Sequence, residues 1–304
     1  MTTKTCRPSV DDSATATIEL DFDNPHDMID VGHSRLAHWK IGSGPDLVFV
    51  HGWPIHSATF REIAPRLAQH FTCHLIDLPG AGRTEWTDGT PVSLLHNART
   101  LRIAIEQLGL ARYGLIAHDS GGVIARLVAA KHADRVVGLV LEGTEIPDHH
   151  PWLVGLYLKL QRIPGWRSVM RLMLGSRILR HSAIGFGSVF SDKSLIDGDF
   201  YDYFIAPLID SERAAEGQSL LANDFDWSVI DDLREVHAEI SAPVQLIWGP
   251  DDPFFPAKKA RAMAEQFAGG AEFHELSTGR LFAHEELPHE FTHLAEPFLQ
   301  RCFT

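Results

Sequence analysis

The chain has 304 residues, 44% hydrophobic and 22% charged, the composition of a globular protein able to bury one sizeable core or a core with an insertion. A formal net charge of −13, with 27 lysines and arginines spread along the chain, leaves little to neutralise phosphates and argues against nucleic acid as a partner. No run approaches the ~18 apolar residues of a membrane helix, so a membrane is not an expected partner, and Cys6, Cys73 and Cys302 are odd in number and lack ligand spacing, which excludes zinc, haem and a disulfide framework and suits a reducing compartment.

Residues 1–27 read as a polar extension without the apolar centre of a secretory leader, from which a cytoplasmic protein is expected. Beyond them, short apolar runs alternate with longer amphipathic ones, the pattern of a parallel sheet flanked by helices. Strands are expected at 35–40, 47–51, 73–77, 113–117, 136–141, 244–248 and 272–276, and helices at 57–70, 91–108, 122–132, 256–267 and 289–303. The long stretch between the fifth and sixth of these strands is rich in aromatics at helical spacing, with turn signals at Ile163-Pro164-Gly165 and Gly185-Phe186-Gly187. It reads as a helical cap over 146–240, inserted into a core of 28–145 and 241–304, and its Tyr157, Tyr201 and Tyr203 are candidates to line a pocket.

The stretch LIAHDSGG, Leu115 to Gly122, is a strand running into a small-x-nucleophile-x-small turn and a helix. Such a turn strains its central residue and requires small neighbours. Centring it on Asp119 puts Ala117 and Gly121 at the flanks, whereas centring it on Ser120 puts bulky His118 there, so Asp119 is the apex and Ser120 supplies a backbone N–H. An earlier strand and Gly turn, Val48-Phe49-Val50-His51-Gly52-Trp53-Pro54, would aim the N–H of Trp53 at the same anion, completing an oxyanion hole.

With these two motifs the chain resembles the α/β-hydrolase superfamily over most of its length, in its aspartate-nucleophile branch of epoxide hydrolases and dehalogenases. Leu75 to Arg83, LIDLPGAGR, and Leu246 to Pro256, LIWGPDDPFFP, are similar to two further turns of that superfamily. The resemblance implies a mostly parallel eight-stranded sheet flanked by helices, with an inserted helical cap and no cofactor or metal. It also implies Asp252 as the acid of a catalytic triad, with Glu142 at the alternative acid position used by some dehalogenases. The family's base is a histidine seven residues before a proline; in Thr278 to Pro288, TGRLFAHEELP, that place holds Leu281, and His284 could serve only if the loop shifts.

Carboxylate attack forms an alkyl ester, and only its hydrolysis needs the imidazole, so loss of the base impairs the second step. Epoxide hydrolysis of a small hydrophobic organic substrate is the first reading. A non-hydrolytic cyclase, isomerase or lyase is the main alternative, with haloalkane dehalogenase, esterase or a ligand-binding receptor behind it. A homodimer is allowed.

Overall fold

The computed structural model describes residues 20–304. Eight strands, β1 Asp27–Asp30, β2 Arg35–Gly42, β3 Asp46–Val50, β4 Thr72–Ile76, β5 Tyr113–His118, β6 Val136–Glu142, β7 Val244–Trp248 and β8 Ala271–Glu275, form one sheet. Their order across it is β1-β2-β4-β3-β5-β6-β7-β8. β2 runs antiparallel to both β1 and β4, and every other pair is parallel. The runs LVFV, LIA and LVL, in β3, β5 and β6, are unbroken apolar stretches because helices cover both faces of the sheet, so no face needs polar alternation.

The flanking helices are α1 Ala64–Leu67, α2 Leu94–Gln107, α3 Ser120–Lys131, α11 Ala257–Met263, α12 Ala283–Glu286 and α13 Pro288–Phe303. Seven more lie between β6 and β7: α4 Trp152–Leu160, α5 Trp166–Gly175, α6 Arg177–Arg180, α7 Ala206–Asp210, α8 Glu212–Asn223, α9 Trp227–Asp231 and α10 Leu233–Glu239. Among the described residues no helix is long and apolar enough to cross a membrane.

Three local differences from the sequence expectations have physical causes. β1, DMID, has no apolar run to announce it and exists by pairing along β2. The helix expected over 57–70 breaks into a 3₁₀ turn, Ser57–Phe60, and the short α1, because the Asp77 carboxylate holds the Ser57 N–H at 2.9 Å and Pro65 restarts the helix. Of the proposed extension, residues 1–19 lie outside the described part. Leu20 and Phe22 are buried, the Phe22 ring 5.3 Å from that of Trp39, so the chain from residue 20 packs with the core.

Candidate active site

Asp119 stands between β5 and α3 with φ 52° and ψ −137°, a conformation that costs a non-glycine residue free energy and persists only when its surroundings enforce it. Two glycines do so. A Cβ on Gly121 would overlap the carbonyl oxygens of Val50 and His51, and one on Gly52 would overlap the Asp119 side chain. The turn of β3 and the turn of β5 thereby come into contact, and the Trp53 N–H donates to Asp119 Oδ2 at 2.9 Å. The N–H of Ser120 also bears on the carboxyl.

Above this turn lies a cavity of about 360 Å³, walled largely by apolar side chains of the helices between β6 and β7. Its floor carries Asp119, Ser120, Trp53, Glu145, Leu281 and Phe255. Burial pushes the Asp119 carboxyl well above its usual range, and the charge of Glu145 adds to the effect, against the N–H groups of Ser120 and Trp53. Glu145 is raised as well, by burial, with Arg126 and the Thr144 hydroxyl opposing. Burial thus opposes ionisation of both carboxyl groups that face the cavity, and at Asp119 the charge of Glu145 opposes it further.

Glu145 was not among the residues singled out from the sequence. In Leu141-Glu142-Gly143-Thr144-Glu145 the resemblance points to Glu142, at the alternative acid position, and not to Glu145. The loop is held by Arg126 of α3, fully buried, whose Nη2 donates to Thr144 Oγ1 and to the Glu145 carbonyl, both at 2.9 Å, and whose Nε donates to the Gly122 carbonyl at 2.9 Å.

The other sequence candidates separate into those near the floor and those away from it. Asp252 is buried behind Phe254 and Phe255. Its Oδ1 accepts their N–H groups at 2.8 and 2.9 Å, while Oδ2 has no partner. Burial pushes its pKa up to about 7. Leu281 lines the cavity.

His284 does not. Its Nδ1 meets Glu142 Oε2 at 2.8 Å and its Nε2 meets Thr59 Oγ1 at 2.9 Å, so no loop shift brings its imidazole to the floor. Burial depresses it to about 4. Glu142, raised to about 8 by burial, also accepts the Ala283 N–H at 2.9 Å, and His118 Nε2 donates to the Leu281 carbonyl at 2.9 Å. Glu142 and His118 thus brace the loop bearing Leu281 and offer nothing to the cavity. Ligand atoms of His118, Glu142 and His284 lie within 4.8 Å of one another; His118 Nε2, Glu142 Oε2 and His284 Nδ1 are engaged in these contacts, and His118 Nδ1 has no partner.

Of the three tyrosines, Tyr157 lines the cavity, its ring 5.1 Å from that of Trp53 and its hydroxyl bonded to Gln218. Tyr203 turns instead toward Phe22, His56 and Arg61, and Tyr201 lies under the Arg180 guanidinium. Both sit on a π-helical turn, Tyr201–Ile205, whose extra residue rotates the helix face away from simple spacing. Among the described residues, no imidazole lines the cavity.

A family model described as α/β hydrolase fold matches residues 45–176. The pimeloyl-[acyl-carrier protein] methyl ester esterase of Vibrio vulnificus is 38% identical over 258 residues, which cover 79% of this chain and 89% of that protein. Haloalkane dehalogenase 2 of Mycobacterium bovis is 35% identical over 115 residues, 38% of this chain. That alignment, like the one with the Aeromonas salmonicida esterase of the same name as the Vibrio protein, spans about two fifths of the relative's own length. In three dimensions the haloalkane dehalogenase from Bradyrhizobium elkani superposes with a TM-score of 0.71 at 21% identity, covering 90% of this chain and 97% of that one.

Proposed function

Because this chain belongs to the α/β hydrolase fold family, we propose that it is an enzyme in which Asp119 attacks a small apolar epoxide, with Glu145 as its proton partner. The observation that carries the reading is the Asp119 carboxyl held at the cavity floor by the Trp53 N–H, beside a second carboxyl and a leucine in the place of an imidazole.

In the proposed cycle the reactive form of the pair carries its proton on Glu145 and leaves Asp119 ionised, a form favoured by the Trp53 and Ser120 N–H groups on Asp119 and opposed by the burial of Asp119. An ionised Asp119 oxygen bonds to an epoxide carbon, the carbon–oxygen bond of the ring breaks, and the released oxygen takes the proton of Glu145. The product of this step is a hydroxyalkyl ester on Asp119. Glu145, now a carboxylate, accepts a proton from water as the water oxygen adds to the ester carbonyl, whose oxygen is held by the N–H groups of Trp53 and Ser120. Collapse breaks the bond from the carbonyl carbon to the substrate oxygen, which takes the proton of Glu145 to give the diol, and the second proton of the water stays on the regenerated Asp119 and Glu145 pair. The helices between β6 and β7 act as the cap that keeps bulk water out.

The cavity disfavours the two activities named for the relatives. A departing halide needs side-chain N–H donors beside the attacked carbon. Ser120 has none, and the Trp53 indole N–H is occupied by the Gln218 carbonyl at 3.0 Å. A serine esterase needs a serine at the apex and a histidine beside it, and Asp119 occupies the apex.

Incubation with a panel of epoxides, read by denaturing mass spectrometry and product analysis, tests the proposal. Diol formation with a transient adduct on Asp119 is expected, lost in Asp119→Asn and slowed by about 10² to 10⁴ in Glu145→Gln. An adduct on Ser120, or neither adduct nor diol across the panel, overturns it. Leu281 at the place of the base favours a second reading, a non-hydrolytic isomerase or lyase. Product that carries no ¹⁸O over many turnovers in labelled water would select it.

A further inference from the structure

The outer surface of the helices over the cavity differs from the rest of the molecule. From residue 149 to residue 191 the sequence contains no aspartate or glutamate and six basic residues, in a chain whose net charge is −13. The same stretch holds most of the large apolar side chains that the described residues expose: Ile178 is 84% exposed, Leu172 73% and Trp152 72%, with Leu156, Ile163 and Ile184 beside them.

Their spacing is helical. Trp152, Leu156, Lys159 and Ile163 follow one another along the outer stripe of α4 and its exit, while Leu153, Tyr157 and Leu160 face the cavity. On α5, Val169 and Leu172 point outward, and Trp166, Met170 and Met173 line the cavity. Arg171 pairs with Glu212, and Arg177 and Arg180 share Asp197. Lys159, Arg162 and Arg167 meet no carboxylate among the described residues; Arg167 donates to the Ser219 hydroxyl at 3.2 Å.

We propose that this face docks on an anionic lipid bilayer, with the apolar side chains of α4 to α6 entering the interface and Lys159, Arg162 and Arg167 meeting lipid phosphates and carboxylates. The sequence alone pointed away from a membrane, because it shows total charge and the absence of a span, and neither describes a local face. At physiological salt, interactions fade within about 8 Å, so a surface feels the basic patch that touches it more than the acidic body behind. Apolar tips interleaved with cations, with tryptophan at one end, are the chemistry of an interfacial helix. A second copy docked through the same face would oppose cation to cation with no acid between 149 and 191 to answer them. Leu156 and Ile184 are both exposed and part of the cavity wall, so single side chains separate the cavity from this patch, where an apolar substrate dissolved in the bilayer would arrive.

The inference is independent of the chemistry at Asp119, and its test needs no turnover. Purified protein is floated with vesicles of phosphatidylcholine alone and of phosphatidylcholine with phosphatidylserine. Partitioning about a hundredfold stronger to the anionic vesicles is expected, from three unneutralised bases near such a surface, falling away at high salt. Two variants with unchanged circular dichroism and melting, Leu172→Asp/Ile178→Asp and Lys159→Glu/Arg162→Glu/Arg167→Glu, should each lose most of that binding, while Asp119→Asn keeps it. No flotation with the anionic vesicles, equal flotation with both, or variants that float like the parent overturn the proposal. A dimer in light scattering that Leu172→Asp/Ile178→Asp dissociates assigns the face to a second copy and overturns it too.

Discussion

A carboxyl group buried with one oxygen unpartnered keeps its proton, and Asp252 is such a group. Its folded pKa of about 7 lies above the ordinary aspartate value of 3.8. Between those values the folded chain holds a proton that the unfolded chain has released, so its contribution to stability falls as pH rises from about 4 to about 7 and is level above. Asp252→Asn removes that slope. The stability difference between parent and variant should move toward the variant across this window by on the order of 4 kcal/mol, read by denaturant unfolding at stepped pH. Leu281→His adds an imidazole to the cavity wall and should raise turnover of any ester formed on Asp119 by tenfold or more, a fraction of the ~10² to 10⁴ general-base range. His284→Ala should act on stability instead. It leaves Glu142 Oε2 and the Thr59 hydroxyl without the imidazole between them, at a cost of about 1 to 3 kcal/mol, and leaves the burst of adduct formation intact at low temperature. Asp119 was legible in the sequence because the steric demand of its turn is written in adjacent small residues. The orientation of His284 was not, because it is set by Thr59, which lies 225 positions away.

Among elements, the junction of β3, β5 and α3 fixes the floor. Gly121→Ala would drive a methyl group into two backbone carbonyls that no side-chain rotation can move aside, and should leave the chain insoluble or melting well below the parent. Arg126→Lys keeps a charge but loses the planar fork that joins Gly122, Thr144 and Glu145. The expectation is a loss of about 3 to 5 kcal/mol together with a fall in kcat, since Glu145 is no longer held. The strands β3, β5, β6 and β7 were readable because a strand covered on both faces is a plain apolar run. β1 and the broken helix after Ser57 were not, because the first depends on its neighbour's register and the second on a carboxylate from β4's exit.

Across the whole molecule, burial is uneven. α3 buries nine of its twelve residues, while α4 and α5 bury one each and α6 none. Local opening follows the number of buried contacts, so hydrogen exchange should be slowest in β3, β5 and β6 and fastest, among the helices, in α4 to α6. Equal protection of the two groups would mean that the helices over the cavity unfold only with the core. The arrangement also leaves one oxygen of Asp252 without a partner, and a histidine at position 281 that turned to it would have a genetic reading. The leucine codons CUU and CUC become histidine codons by one base change. If the gene uses either, a selection that rewards hydrolysis in a mutagenised population should recover Leu281→His early and repeatedly, ahead of any change that must first build a carboxylate to orient the new imidazole.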